Sequence, residues 1–275
     1  MQPNRQFVCI YNFIYGYSIK TDARFVFDCG IPRLFQIGLA NTGKNNKKDE
    51  VDYDFIQRLR PNLIIISHWD EDHYSGIFSL PRCVWDNDEF CVVAPQEGIE
   101  KCESWKNDFL NYLYSRNALY LVEVDPKTSK DYDLFSVSKK KVLFQGKGTD
   151  KNSKSLLLRL NHTVLPGVCL DRYWPDKFAC KDDIEHIVLP HHGARGVLNK
   201  SEIAKEIKRK LKYDMYICAG FNNSYGHPFL DWVIPASTDT SNCQITCTNI
   251  RNPMDSLNSW EPVDDNKSVI TIYNA

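Results

Sequence analysis

Six consecutive residues, His68-Trp69-Asp70-Glu71-Asp72-His73, carry two imidazoles and three carboxylates. Carboxylates this close repel one another and are costly to desolvate unless a cation or solvent compensates. A divalent metal is the compensating charge that such a mixture of nitrogen and oxygen donors suits. His68 and Asp70, two residues apart, point the same way from an extended segment. Asp72 and His73 follow as the chain turns. A metal held on an open face brings the pKa of its water near 7 and polarises a carbonyl or phosphoryl oxygen.

The remaining histidines point the same way. The chain has only 7. Besides His68 and His73, two lie in Pro190-His191-His192-Gly193, and one in Tyr225-Gly226-His227-Pro228. Each of these three stretches follows an apolar run with strand character: Leu63–Ile66, Ile187–Leu189 and Met215–Ala219. The carboxyl ends of strands are where α/β proteins place ligand sites.

The elements that must position these residues alternate along the chain. Strands are predicted at Phe7–Phe13, Tyr17–Lys20, Arg24–Phe27, Leu63–Ile66, Cys91–Ala94, Val142–Phe144, Ser155–Leu160, Thr163–Leu165, Ile187–Leu189, Met215–Ala219 and Ser268–Ile272. Helical spacing of apolar residues predicts helices at Val51–Arg60, Gln96–Arg116 and Asn199–Lys212, and Gly43–Glu50 is a polar loop. The class is α/β. One domain over residues 1–275 is expected, built as two βα-rich halves packed sheet on sheet with helices outside.

Composition narrows the function classes. Lys+Arg is 34 and Asp+Glu is 35, a net charge of −1, which excludes a protein that coats nucleic acid through bulk charge. No apolar run approaches the roughly 20 residues of a membrane span, and the start lacks a signal-peptide core, so a cytoplasmic protein without membrane attachment is expected. The 10 cysteines are scattered with no CxxC pair, consistent with a reducing compartment. Cys243 and Cys247 lack the second pair that a zinc site needs. Lys205, Lys208, Arg209, Lys210 and Lys212 read as a solvated helix face. The composition says nothing about protein partners.

The pattern H-x-D-x-D-H after a buried strand resembles the metal motif of the metallo-β-lactamase fold. More narrowly, the chain resembles the hydrolase domain of bacterial DNA-uptake competence (ComEC-like) proteins, in which an Asp stands where Asp70 does. Four further stretches match in order: Phe25-Val26-Phe27-Asp28-Cys29-Gly30, Asn152-Ser153-Lys154-Ser155, Leu189-Pro190-His191-His192-Gly193, and Asn222-Asn223-Ser224-Tyr225-Gly226-His227-Pro228. The resemblance implies an αββα sandwich of two mixed sheets with outer helices. It also implies one or two divalent ions, Zn2+ or Mn2+, the carboxylate Asp70 tilting the choice toward the harder ion. His68 and Asp70 would bind the first ion, Asp72 and His73 the second, with His191 or His192 as a late ligand. Asp28 would be a carboxylate behind the ligands that orients them. Asp72 and His227 are read as catalytic, and Arg195 as a phosphate contact.

The implied activity is nuclease-type cleavage of phosphodiesters, with nucleic acid or a nucleotide as substrate. One departure stands out: Val168 occupies the position where the family has an Asp bridging two metals. Asp171 is a possible substitute ligand. Two other readings therefore stay open, a hydrolase of a small ester or cyclic nucleotide and a non-catalytic scaffold.

Overall fold

Short apolar runs form the buried middle of two sheets. The structure, a computed structural model, describes residues 6–10, 13–18, 23–28, 61–80, 82–101, 104–123, 141–160, 163–175, 178, 184–194, 214–218, 245–248 and 270–273. The chain divides into two compact units, the first mainly Asn12–Glu123 and the second mainly Val124–Ile270.

The first sheet takes strands β1 (Gln6–Ile10), β2 (Phe13–Ser18), β3 (Ala23–Phe27), β4 (Leu63–Ile65), β5 (Cys91–Pro95), β6 (Leu119–Val122) and β13 (Ile270–Tyr273). Their order is β13-β1-β2-β3-β4-β5-β6. β2 and β3 are antiparallel, whereas β3, β4, β5 and β6 run parallel. The second sheet holds β7 (Lys141–Gln145), β8 (Leu156–Leu160), β9 (Thr163–Leu165), β10 (His186–Val188), β11 (Asp214–Cys218) and β12 (Ile245–Thr248), in the order β12-β11-β10-β9-β8-β7. It repeats the scheme: β7, β8 and β9 are antiparallel neighbours, and β9 to β12 run parallel. Parallel strands covered on both faces must be apolar throughout. Leu63, Ile64 and Ile65 of β4 and Val164 and Leu165 of β9 are accordingly buried.

Helix α1 (Glu71–Tyr74) and a 3-10 turn, Ser75–Ser79, follow β4; α2 (Arg82–Trp85) precedes β5; α3 (Ser104–Ser115) precedes β6. Leu110 and Leu113 of α3 are buried. A run of edge-to-face rings ties the start of this region to α3: Trp69 to Tyr74 (5.3 Å), Tyr74 to Phe78 (5.9 Å), Phe78 to Phe109 (5.5 Å) and Phe109 to Trp85 (5.3 Å). Such pairs contribute about 0.5–1.5 kcal/mol each beyond their burial. The connection after β4 is thus fixed to the helix that covers the sheet.

The helix expected over Gln96–Arg116 starts later. Gly98 has φ 98°, and a side chain there would meet Trp69, so residues 96–101 form a turn and a 3-10 stretch, Ile99–Lys101, before α3 begins. β6 and β12 were not predicted. The expected strands at Phe7–Phe13 and Tyr17–Lys20 are found as β1 and as β2, which begins at Phe13. The helices expected at Val51–Arg60 and Asn199–Lys212, and the loop at Gly43–Glu50, lie outside the described residues. Among the described residues no helix is long and apolar enough to cross a membrane.

Candidate metal centre

The parallel register of β3 and β4 sets the site. Phe27 pairs with Ile65, and the Asp28 N–H continues the ladder to the Ile65 carbonyl (2.8 Å). Asp28 then turns with φ 56°, a left-handed conformation that Asp tolerates better than most residues. Its carboxylate comes to lie against Ser67, two residues past the end of β4. Oδ1 accepts the Ser67 backbone N–H (2.7 Å) and Oδ2 accepts the Ser67 hydroxyl (2.9 Å). Oδ2 also accepts Nδ1–H of His73 (2.8 Å). Asp28, Ser67, His68 and His73 are all buried, at 5 %, 0 %, 3 % and 2 % exposure.

Beyond Ser67 the chain alternates. His68 and Asp70 point one way and meet, Nε2 to Oδ2, at 3.2 Å. Trp69 points the other way, donates its indole N–H to the Pro95 carbonyl (2.7 Å) and packs on Gly98. The Asp70 carbonyl accepts the His73 N–H (2.8 Å) and opens α1, which carries His73 back so that its ring centroid lies 4.1 Å from that of His68. The structure therefore brings His68, Asp70, His73 and Asp28 together. The Asp72 side chain is outside the described residues, as are Arg195 and His227.

Three successive contacts of this cluster allow a proton count. Asp28 Oδ2, Ser67 Oγ, His68 and Asp70 Oδ2 form three successive contacts, Ser67 Oγ to His68 Nδ1 being 3.0 Å. Carboxylates only accept, the hydroxyl brings one proton and a neutral imidazole brings one. Within these three contacts one is left with lone pair facing lone pair, and a cation between its two atoms would fill it. A second proton on His68 is disfavoured: burial first, and then the neighbouring His73, hold its pKa below the ordinary value. The half-buried end is the one at Asp70, whose side chain is 31 % exposed, against 7 % for Asp28. Two donors each about 2.1 Å from one ion sit about 3.0–3.4 Å apart. The 3.2 Å between Nε2 and Oδ2 matches that spacing. In donor type and spacing the pair fits a divalent cation. Among the described residues no third His, Cys, Asp or Glu joins them in a ligand group.

The second unit has its own loop, described by itself. Leu189 N–H continues from β10 to the Tyr216 carbonyl of β11 (2.8 Å). The chain then makes a left-handed turn: His191, His192 and Gly193 have φ of 52°, 53° and 73°. The His191 N–H is held by the Gly167 carbonyl (2.9 Å), which places this loop beside the turn after β9. Both imidazoles are half-buried, their ring centroids 6.4 Å apart. In the neighbouring turn Val168 is 3 % exposed and Cys169 is fully buried. Burial pushes the Cys169 thiol well above its usual range, and the negative charge of Asp150 and Asp171 adds to the shift. Asp171 opens the 3-10 turn Asp171–Tyr173 and is half-buried.

Comparison with known proteins adds the fold. No protein-family model and no curated protein matches the sequence. Solved structures do. The metallo hydrolase Igni18 from the archaeon Ignicoccus hospitalis superposes with a TM-score of 0.51 at 10 % identity, over 88 % of this chain and 95 % of that one. The fold is that of the metallo-β-lactamases. Two further structures align less closely. YhfI from Bacillus subtilis, a metallo-β-lactamase-fold protein, gives 0.49 at 11 % identity over 88 % and 96 % of the two chains. A diphosphatase of the PhnP family gives 0.47 at 12 % over 85 % and 80 %.

Two residues of the cluster had no role assigned from sequence. Ser67 stands directly before His68, and Trp69 stands between His68 and Asp70. Their adjacency to the motif was the available signal; their partners, Asp28 and Pro95, lie 39 and 26 residues away.

Proposed function

We propose that the chain is a metal-dependent hydrolase that cleaves phosphodiesters, in the manner of a nuclease. The observation that carries the first half is the contact between His68 Nε2 and Asp70 Oδ2, 3.2 Å apart at the half-buried end of the cluster, a spacing that suits two donors on one ion. The second half rests on the sequence elements that resemble those of the DNA-uptake hydrolase domains and on the hard carboxylate at Asp70.

His68 and Asp70 would hold a first ion, and Asp72 and His73 would serve a second. A divalent ion bound there polarises a phosphoryl oxygen and makes water more acidic. The work of the chain's own residues is positional. Asp28 holds a proton on Nδ1 of His73, so that Nε2 is the nitrogen offered outward. Trp69, locked on Pro95, fixes the strand-to-helix turn so that His68 and Asp70 share a side. Arg195 would contact a phosphate, and Asp72 and His227 would act at the reacting group.

Metal analysis with a substrate panel tests this reading. The purified chain is assayed with Zn2+ and with Mn2+ on single- and double-stranded DNA, RNA, cyclic nucleotides and lactones. Nucleic acid cleavage that His68→Ala and Asp70→Ala both abolish, together with their bound metal, is expected. Turnover of lactones or cyclic nucleotides alone would move the substrate to the small-molecule class. The buried Val168 favours one further reading, a scaffold that has lost catalysis. A wild-type chain that binds neither ion would establish it over the hydrolase.

A further inference from the structure

We infer that Ser67 is a positioning residue: its hydroxyl, not a carboxylate, selects the tautomer of His68 and so makes Nε2 the nitrogen that faces Asp70. The inference rests on the metal-site reading above and deepens it. The two buried imidazoles are served differently by one carboxylate. His73 Nδ1 lies 2.8 Å from Asp28 Oδ2 and donates to it directly. His68 Nδ1 lies next to Ser67 Oγ, at 3.0 Å.

The direction of each hydrogen bond follows from what Asp28 can do. A carboxylate has no proton to give, so the 2.9 Å contact between Ser67 Oγ and Asp28 Oδ2 is made by the serine proton. With that proton spent, Ser67 Oγ has only lone pairs for His68, and the proton on Nδ1 of His68 must fill the contact. Nε2 is then bare. The alternative tautomer would leave Ser67 Oγ facing Asp28 Oδ2 at 2.9 Å without a proton, in a spot where Ser67 is 0 % exposed and water cannot compensate. The Ser67 backbone N–H on Oδ1, at 2.7 Å, keeps the serine from rotating away with its loop. Ser67 Oγ is 3.5 Å from His73 Nδ1, at the limit of a hydrogen bond, so the serine acts on His68 and leaves His73 to Asp28.

The test uses the full chain with 15N-labelled histidine, as purified and after addition of Zn2+. Long-range proton–nitrogen correlation reads which ring nitrogen carries the proton, and His68→Gln assigns the signal. In wild type and in Ser67→Thr, which keeps a hydroxyl, the His68 proton is expected on Nδ1. In Ser67→Ala it shifts to Nε2 or becomes mixed while His73 keeps its proton on Nδ1, and Zn2+ affinity falls by about 10–100-fold. A general loosening of the site would disturb both rings alike. Should Ser67→Ala fail to fold, Ser67→Cys, close in size and a weaker hydrogen-bonding partner, is expected to show the same shift in smaller measure. A His68 proton that stays on Nδ1 in the alanine or cysteine variant overturns the assignment. Failure of the wild type to take up Zn2+ would instead strike the metal-site reading, and the tautomer comparison would still decide the role of Ser67.

Discussion

The loop after β4 and the loop after β10 both present two histidines just past a buried parallel strand, yet they are held in different ways. After β4 the backbone is relaxed, with His73 inside a helical turn, and the imidazoles are fixed from behind by Asp28 and Ser67. After β10 the backbone itself is strained. His191 and His192 both sit at positive φ, where a non-glycine residue costs about 1–3 kcal/mol, and the His191 N–H is bonded to the Gly167 carbonyl. One loop sets its side chains with a hydrogen-bonded carboxylate. The other carries its histidines on a left-handed turn beside the buried Val168. The first design is sensitive to the loss of one distant carboxylate. The second is sensitive to whatever lets the turn relax.

The sharpest way to break this comparison is Asp28→Ala. Three buried donors, the Ser67 N–H, the Ser67 hydroxyl and His73 Nδ1–H, would lose their acceptor together. We expect a loss of about 3–5 kcal/mol in denaturant unfolding and at least about 100-fold weaker metal binding. Asp28→Asn, which also tolerates the left-handed turn, should fold better than Asp28→Ala while binding metal nearly as poorly. Equal metal content in all three chains would mean that Asp28 does not orient the ligands.

In the second unit the largest effect is expected at Val168. Val168→Asp places a carboxylate in a buried apolar spot and should cost about 2 kcal/mol or more without metal. If the neighbouring loop takes part in metal binding, added Zn2+ should restore much of that loss and metal content should rise above wild type. Should Asp171 already serve as a substitute ligand, Asp171→Ala would lower metal content and Val168→Asp would add little. Metal counts on the three chains decide.

Backbone strain gives a smaller, more specific contrast. At His191 and His192, glycine should be about 1 kcal/mol more stable than alanine, because only glycine occupies positive φ at no steric cost. At His73, within α1, the order should reverse, alanine exceeding glycine by about 0.5–1 kcal/mol. Thermal melts of the three Gly/Ala pairs read this directly. The same order in both loops would mean that the turn after β10 carries no backbone strain.

The smallest expected effect is a pH dependence from His68. Its folded pKa lies below the unfolded value near 6.5, chiefly through burial, so the unfolded chain binds more protons as the pH drops. The metal-free chain should therefore keep its full stability above pH 6.5 and lose it as the pH falls from there toward the folded pKa. His68→Gln should flatten that slope. An unchanged slope in the variant would assign the effect to another group.

Much of this was legible before any coordinates. Leu63, Ile64 and Ile65, Val164 and Leu165, and Ile187 and Val188 are short, wholly apolar and rich in β-branched residues, which is the pattern of strands covered on both faces, so the elements that carry the motif stand out. β6 and β12 did not. Leu119–Val122 puts the exposed Tyr120 among buried residues and ends the first sheet as an edge, where alternation is weak. The start of α3 was also misplaced, because the break at Gly98 depends on Trp69, 29 positions earlier in the chain.

The sequence by itself determined which side chains are available for chemistry: a dense His/Asp motif and a second histidine pair. Residue type and short spacing are local properties, and period-two alternation alone sets His68 and Asp70 on one side. The tertiary structure decided what holds them. Asp28 reaches Ser67 and His73 only because β3 and β4 pair in parallel with Phe27 opposite Ile65, a register fixed by sheet packing that joins residues 39 positions apart. The direction of a proton between Ser67 and His68 is set by that distant carboxylate, and no pattern within the motif encodes it.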